Sequence, residues 1–142
     1  MSTVSDLKRF TDAQQSSFAT ALSEIQNGKK RSHWMWYIFP QIHGLGVTPT
    51  SQYYAIRSRQ EAKDFLADPY LGGNLIKIAS ALLDLDTNNA SHVFGFPDDL
   101  KLRSSMTLFA LVSEEGSVFH KVLDKYYGGH MDSATLRILG MK

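Results

Sequence analysis

Helix start and stop signals recur along this chain, and they constrain its fold more than any other feature. Apolar residues return at helical spacing in several segments, as in Phe18, Leu22 and Ile25. That first helix is predicted to end at Asn27-Gly28, a common C-terminal signal. Runs of alternating β-branched residues, which mark strands, are missing from the sequence. The pattern therefore predicts an all-α fold.

Capping residues predict several further helix ends. Ser58 and Glu61 fit a capping box, in which the serine accepts from the third helical amide and the glutamate reaches back. A proline in the first turn costs nothing, because its missing N–H has no helical partner there. Further starts are predicted at Asp68-Pro69, at Asp98-Asp99 and at Asp132, and a stop at Gly128-Gly129.

Size and composition are those of an ordinary globular protein. The 142 residues predict a single domain over 1–142, and 43% hydrophobic with 20% charged residues argue against disorder. Without cysteine the chain has no disulfide and no thiolate, which fits a reducing cytosol. The polar N-terminus does not resemble a signal peptide, and no apolar run approaches the roughly 20 residues that span a bilayer. We expect a cytoplasmic protein without a membrane partner.

The segment Gly28–Gly46 departs most from a plain core pattern, because cations precede a cluster of aromatic residues. One interpretation is that Trp34 and Trp36 are core residues, since large aromatics dominate core packing. The other is a wall for a planar or anionic ligand, with Arg31 supplying charge and His33 a hydrogen bond or a proton. In this second interpretation Arg31, Trp34 and Trp36 bind the ligand, and His33 is the candidate acid or base.

A second unusual segment, Asp98–Leu108, carries hydroxyls and cations inside an otherwise apolar helix. Lys101, Arg103 and Ser104 offer donors that could hold a phosphate or carboxylate, so they are candidate ligand-binding residues. The alternatives are structural. Helical hydroxyls often bond back to the backbone, and Arg103 has the two aspartates that open the helix as near partners. If the two segments meet in space, they form one ligand site.

Standard catalytic and cofactor patterns do not occur. The sequence has no nucleophile elbow, no phosphate-binding Walker loop and no HExxH zinc motif. His120 and Asp124 are spaced to share a helical face, but a metal site needs three or four convergent ligands. We therefore predict no cofactor and no metal site, and the residues leave enzymatic activity open.

Four long motifs carry a family resemblance. They are KRSHWMWYIFPQIHGLG, YYAIRSRQEAKDFLADPYLG, FGFPDDLKLRSSMTLFA and VLDKYYGG, in this order. Through them the chain closely resembles, from Leu7 to Gly129 or beyond, the bacterial family catalogued as domain of unknown function 1810. The resemblance implies a compact fold of about seven helices and no established activity. Some members carry the label calpastatin, the name of a disordered inhibitor, whereas this chain has the hydrophobic content of a folded domain.

A second, local resemblance bears on the ligand. The stretch TSQYYAIRSRQEA is similar to one in the helical superfamily that handles ADP-ribose and related NAD-derived compounds. Gln52 stands where an acidic residue is common in that superfamily. From the ligands of that superfamily and the cations and aromatics of the two segments, we predict a small anionic or nucleotide-like ligand, held in an Arg/His/Trp pocket.

Two other functions compete with this hypothesis. A non-catalytic protein-interaction module would present exposed aromatics such as Tyr126 and Tyr127 to an unknown protein partner. Nucleic-acid binding would need the scattered cations to share one face, and a net charge of +1 argues against nucleic acid as a partner.

Overall fold

Helices follow one another along the described chain. The computed structural model describes residues 6–141; residues 1–5, part of the polar N-terminus noted above, and residue 142 lie outside the described residues. The helices are α1 (Lys8–Gln26), α2 (Met35–Ile38), α3 (Pro49–Tyr53), α4 (Arg59–Ala67), α5 (Pro69–Leu83), α6 (Ala90–Phe94), α7 (Asp98–Leu111), α8 (Val118–Tyr127) and α9 (Ser133–Ile138). The all-α prediction is confirmed, with nine helices in the described part, of which α1, α4, α5, α7 and α8 are the longer ones. No helix between residues 6 and 141 combines the length and hydropathy of a membrane span.

Side-chain caps form at three of the helix starts that the sequence predicts. Ser58 Oγ accepts from the Glu61 amide at 3.1 Å. Asp68 Oδ1 and Asp132 Oδ2 each accept from the amide three residues on, at 2.9 Å. These caps satisfy amides that a helix leaves without partners, so the predicted starts of α4, α5 and α9 are confirmed.

The capping box at α4 is only half formed, because Glu61 has another partner. Its Oε1 accepts from Arg9 Nη2 at 2.6 Å and from the Arg57 amide at 3.1 Å. The predicted bond from Glu61 back to the Ser58 amide is therefore wrong. The Arg9 and Glu61 side chains are only 6% and 5% exposed, so a buried ion pair ties the start of α1 to α4.

The helices α5 and α7 form the centre of the fold. α5 packs against α1, α4 and α8, whereas α7 packs against α4, α6, α8 and α9. From Leu102 to Ala110, every residue of α7 except Arg103 is buried. A helix that is apolar and buried on all sides is part of the core. The helices α4, α6, α8 and α9 therefore pack around α7.

Three short helices, α2, α3 and α6, are missing from the sequence prediction, because four or five residues are too few to show a period. The loops beside α2 and α3 are joined by a parallel bridge between Ile42 and Ile56. In it the Ile56 amide donates to Gln41 O at 2.8 Å, and the His43 amide donates to Ile56 O at 2.7 Å. This pairing fixes the loop that follows α2.

The two tyrosines that end α8 are not exposed aromatics, and that expectation is wrong. Tyr126 is 8% exposed, and its hydroxyl donates to Leu82 O at 2.6 Å. The Tyr127 hydroxyl donates to Asp99 O in α7. Both hydroxyls thus join α8 to its neighbours, with Tyr126 buried and Tyr127 partly buried.

Candidate functional site

The loop that follows α1 is held by one carboxylate, that of Glu24. Its Oε1 accepts from the Arg31 amide at 2.7 Å, from the Ser32 amide at 2.9 Å and from Trp34 Nε1 at 2.9 Å. Its Oε2 accepts from Ser32 Oγ at 2.5 Å. Burial raises the pKa of the Glu24 carboxyl, but the hydrogen bonds outweigh burial and lower the pKa to about 2. The charged carboxylate therefore fixes the start of the aromatic segment.

Trp34 lies in the core. Its side chain is 1% exposed, and its ring centroid lies 6.1 Å from that of Phe39 and 6.3 Å from that of Phe94. Its indole N–H is already bonded to Glu24. The core interpretation of the tryptophans is therefore confirmed for Trp34, whose ring is sealed from any ligand while this packing holds.

Trp36, two residues further on, lies half-buried in α2 beside α7. Lys101 Nζ is 5.5 Å from the centroid of its ring. Trp36, Lys101 and Ser104 line one pocket of about 370 Å³, here called the Lys101 pocket. Its other lining residues are Gln41, Leu45, Gly46, Val47, Thr48, Ser51, Pro97 and Leu100. The two segments singled out in the sequence thus meet at this pocket.

A much smaller cavity of about 10 Å³ adjoins the Lys101 pocket. The two share Trp36, Gln41, Gly46 and Ser51 as lining residues. A cavity of this size holds about one water molecule. A Cβ added at Gly46 would lie 2.4 Å from Ser51 Oγ, so the loop and α3 touch where the two spaces divide.

The charge of Lys101 is only partly compensated. Asp98 Oδ2 lies 2.9 Å from Lys30 Nζ, whereas Asp98 Oδ1 lies 3.5 Å from Lys101 Nζ. Lys30 is 9% exposed and also donates to Ser32 O at 2.6 Å, so it is the closer partner of the shared carboxylate. Within this trio two cations face one anion, and the surplus positive charge is on the pocket side.

Most hydroxyls of the pocket are already bonded to the protein. Ser104 Oγ donates to Leu100 O at 3.2 Å, the backbone bond that the structural alternative predicts. Thr48 Oγ1 donates to Ser51 Oγ at 2.9 Å, and Ser51 Oγ donates to Thr48 O at 2.9 Å. These hydroxyls can still accept, but their protons are committed. A ligand anion must therefore find its donors elsewhere, and Lys101 has them.

Besides Trp34, three of the predicted site residues lie away from this pocket. Arg31 and His33 are exposed in the loop after α1 and are not among the residues that line it. Arg103 donates from Nε to His130 O at 2.9 Å and from Nη2 to Met131 O at 3.0 Å. The alternative pairing of Arg103 with an aspartate of its own helix is thus wrong, because the guanidinium holds the turn between α8 and α9.

Two further histidines, His120 and His130, have local partners. His120 Nδ1 lies 2.7 Å from Ser117 Oγ at the start of α8, and His130 Nδ1 lies 3.1 Å from Tyr127 O. Among residues 6–141, no group of three or more His, Asp or Glu side chains is placed to hold a metal ion.

Sequence reasoning misses the opposite wall of the pocket. Gln41, Leu45 and Gly46 fall inside the first segment without being singled out, and Ser51 falls inside the stretch TSQYYAIRSRQEA without being singled out. The only local signal is Pro40-Gln41, which ends the aromatic run. The bridge between Ile42 and Ile56 joins the two parts of this wall to each other, and no local pattern predicts such a pairing.

Comparisons with known proteins indicate the same family as the four sequence motifs. The chain is similar to the conserved hypothetical protein Rv1873 from Mycobacterium tuberculosis, whose crystal structure is known. The two share 41% identity with a TM-score of 0.93, over 96% of this chain and 98% of the other. No curated protein matches the chain. Residues 4–139 match the family described as "Protein of unknown function (DUF1810)", and the chain belongs to that family.

Proposed function

We propose that this protein binds a small anionic ligand bearing a planar ring, in the Lys101 pocket. The observation that carries the proposal is the convergence of Trp36 with Lys101 and Ser104 in one concavity of about 370 Å³. Ligand sites are typically concave, mostly apolar and fitted with a few convergent polar groups. Leu45, Val47 and Leu100 supply the apolar walls, and Lys101 supplies the charge.

Each binding group has a distinct role in this proposal. The ammonium of Lys101 pairs with the anionic group of the ligand, because Asp98 is held more closely by Lys30. The indole of Trp36 stacks on the ring. Ser104 accepts a hydrogen bond, since its own proton is donated to Leu100 O. Arg31, His33, Trp34 and Arg103 have no part in it, and the proposal is one of binding rather than catalysis.

The test is thermal unfolding of the wild type and of Lys101→Met with inorganic phosphate, phenyl phosphate, adenosine 5′-monophosphate and a short RNA. A probe at about 100 times its Kd adds roughly 2.7 kcal/mol to the stability of the protein that binds it. We expect phenyl phosphate or the mononucleotide to raise the midpoint of the wild type and to leave that of Lys101→Met unchanged.

The matched control is Lys121→Met, which removes an exposed lysine of α8 and should respond as the wild type does. If the shift survives in Lys101→Met, the anion binds elsewhere and the proposal fails. If no anionic probe shifts the wild type, the proposal fails as well.

A protein-interaction surface is the second candidate, and one observation favours it. Val47 and Phe96 are 84% and 80% exposed, and Leu100 is 50% exposed. Val47 and Leu100 line the Lys101 pocket, and Phe96 precedes Pro97, which also lines it. Exposed apolar residues grouped in this way mark contact surfaces in many proteins. A protein partner whose binding Phe96→Glu abolishes, with no small anion bound, would favour this function over the first.

A further inference from the structure

Gln41 is a polar side chain at the pocket with no bond to the protein. Its backbone is fixed by the bridge, because its carbonyl accepts from the Ile56 amide at 2.8 Å. Its side-chain amide makes no hydrogen bond to any residue between 6 and 141, although the residue is half-buried. Gln41 lines both the Lys101 pocket and the adjoining small cavity. The amide therefore offers a neighbouring donor and acceptor at the pocket wall that no described residue occupies.

We infer that Gln41 reads the polar edge of a nucleobase-like ring, so that the ligand of the Lys101 pocket is a mononucleotide or a close analogue. This inference rests on the proposed function, because it assumes that an anionic ligand enters the pocket. A primary amide matches an edge on which a donor and an acceptor are neighbours, as on every standard base. A phenyl ring offers neither a donor nor an acceptor at its edge, and a sugar phosphate offers both through its hydroxyls but has no planar ring to stack on Trp36.

The rest of the wall fits the same ligand class. Trp36 offers an aromatic surface for stacking, which is tolerant of the base. Leu45, Val47 and Leu100 form apolar walls, which suit the faces of a ring better than the many hydroxyls of a sugar. Lys101 supplies a charge for one phosphate. The volume of about 370 Å³ lies near the lower end of the range for ligand pockets, roughly 300–1,000 Å³, which favours a mononucleotide over a dinucleotide.

The experiment is a calorimetric titration of the wild type, Gln41→Met and Lys101→Met. The probes are the 5′-monophosphates of adenosine, guanosine, cytidine and uridine, together with phenyl phosphate and ribose 5-phosphate. Methionine keeps the length of glutamine and removes both hydrogen-bonding atoms. For the wild type we expect at least one mononucleotide to bind about tenfold more tightly than phenyl phosphate and ribose 5-phosphate, since edge contacts contribute this much discrimination.

The two variants test the role of Gln41 separately from the anion site at Lys101. Gln41→Met should lose the tenfold preference and still bind phenyl phosphate as the wild type does, whereas Lys101→Met should lose affinity for every probe. Gln26→Met, an exposed glutamine of α1, is the matched control and should change nothing. Denaturant unfolding of each variant checks that it is folded.

Two outcomes would overturn the inference in different ways. If phenyl phosphate binds in a Lys101-dependent manner and no mononucleotide binds more tightly, the anion site stands and the base-reading role of Gln41 is wrong. A preference among bases that persists in Gln41→Met leads to the same conclusion. If none of the six probes binds the wild type, both the inference and the proposed function fail.

Discussion

Trp34 and Trp36 are two residues apart, and they show two opposite uses of the same side chain. Trp34 is 1% exposed, packs on Phe39 and Phe94, and donates its indole N–H to Glu24. Trp36 is half-buried, lines a pocket and has the ammonium of Lys101 over its ring. Beside the first, the indole N–H and the Glu24 carboxylate are bonded to each other. Beside the second, Lys101 is only loosely paired and the Gln41 amide makes no hydrogen bond to a described residue. Polar groups that bond to each other stabilise the fold, whereas polar groups without a protein partner are available to a ligand.

The two lysines that share Asp98 repeat this contrast. Lys30 Nζ lies 2.9 Å from the carboxylate, donates to Ser32 O and stands 5.1 Å from the centroid of the Trp34 ring. Lys101 Nζ is 3.5 Å from the same carboxylate and more exposed, at 27% against 9%. Equal formal charge therefore does not mean equal role. The geometry of the partners, which the sequence does not give, separates the closely paired Lys30 from the loosely paired Lys101.

The largest expected effect is on the side of Trp34. We expect Trp34→Ala to lower the free energy of unfolding by about 3–5 kcal/mol, because a fully buried indole is lost and a cavity remains. Trp36→Ala should cost about 1 kcal/mol, as is usual for a partly exposed side chain. Urea unfolding of both variants measures the difference. Equal losses would mean that Trp36 is as structural as Trp34, and the contrast would collapse.

A smaller effect is expected at the carboxylate that anchors the loop. Glu24→Ala leaves the Arg31 amide, the Ser32 amide and the Trp34 N–H without their partner. We expect a loss of about 2–3 kcal/mol in the free energy of unfolding, the cost of leaving part-buried donors unpaired. The control is Glu115→Ala, an exposed glutamate, which should stay within about 0.5 kcal/mol of the wild type. Matching values for the two variants would refute the anchoring role.

The smallest effect is a pH dependence with a defined sign. The Glu24 carboxyl has a pKa of about 2 in the fold, below its ordinary value of 4.5. A lowered pKa means that the charged form stabilises the fold fully above the unfolded pKa, and that this stabilisation is lost as pH falls through the folded one. The advantage of the wild type over Glu24→Gln should therefore shrink between pH 4.5 and about 2.

Urea unfolding at several pH values measures that advantage, and the other carboxylates cancel because both proteins carry them. An advantage that is constant down to about pH 2, or that grows on acidification, would show that Glu24 is not held as a charged acceptor.

The helices could be predicted from the sequence because their signals are local. Ser58, Asp68 and Asp132 each cap the helix that follows them, and each bond spans only a few residues. The short helices α2, α3 and α6 could not be predicted, since four or five residues show no period. At Glu61, tertiary structure overrides a local motif. Its carboxylate accepts from Arg9, 52 residues away, instead of from the Ser58 amide that the capping box predicts.

The site could be predicted only in part, for the same reason. The sequence indicates that Trp36, Lys101 and Ser104 belong to unusual segments, and these three do line one pocket. It gives equal weight to Trp34 and Arg103, because nothing local reveals that Glu24 and the carbonyls of residues 130 and 131 are their partners. Gln41 could not be predicted, because what distinguishes it is that its side-chain amide makes no hydrogen bond to a described residue, and only the structure shows this.

The enclosure of α7 has a consequence for how the pocket responds to a ligand. Pro97, Leu100, Lys101 and Ser104 form one wall of the pocket at the start of a helix that is buried nearly all round beyond Arg103. Amide hydrogens in the buried part of such a helix exchange with solvent only when most of the domain opens. The part of this wall at Ser104 is therefore rigid in the free protein, and little entropy would be lost in ordering it around a ligand. In the proposed complex, adaptation to the shape of the ligand would fall to the facing loop, where Val47 and Thr48 are exposed.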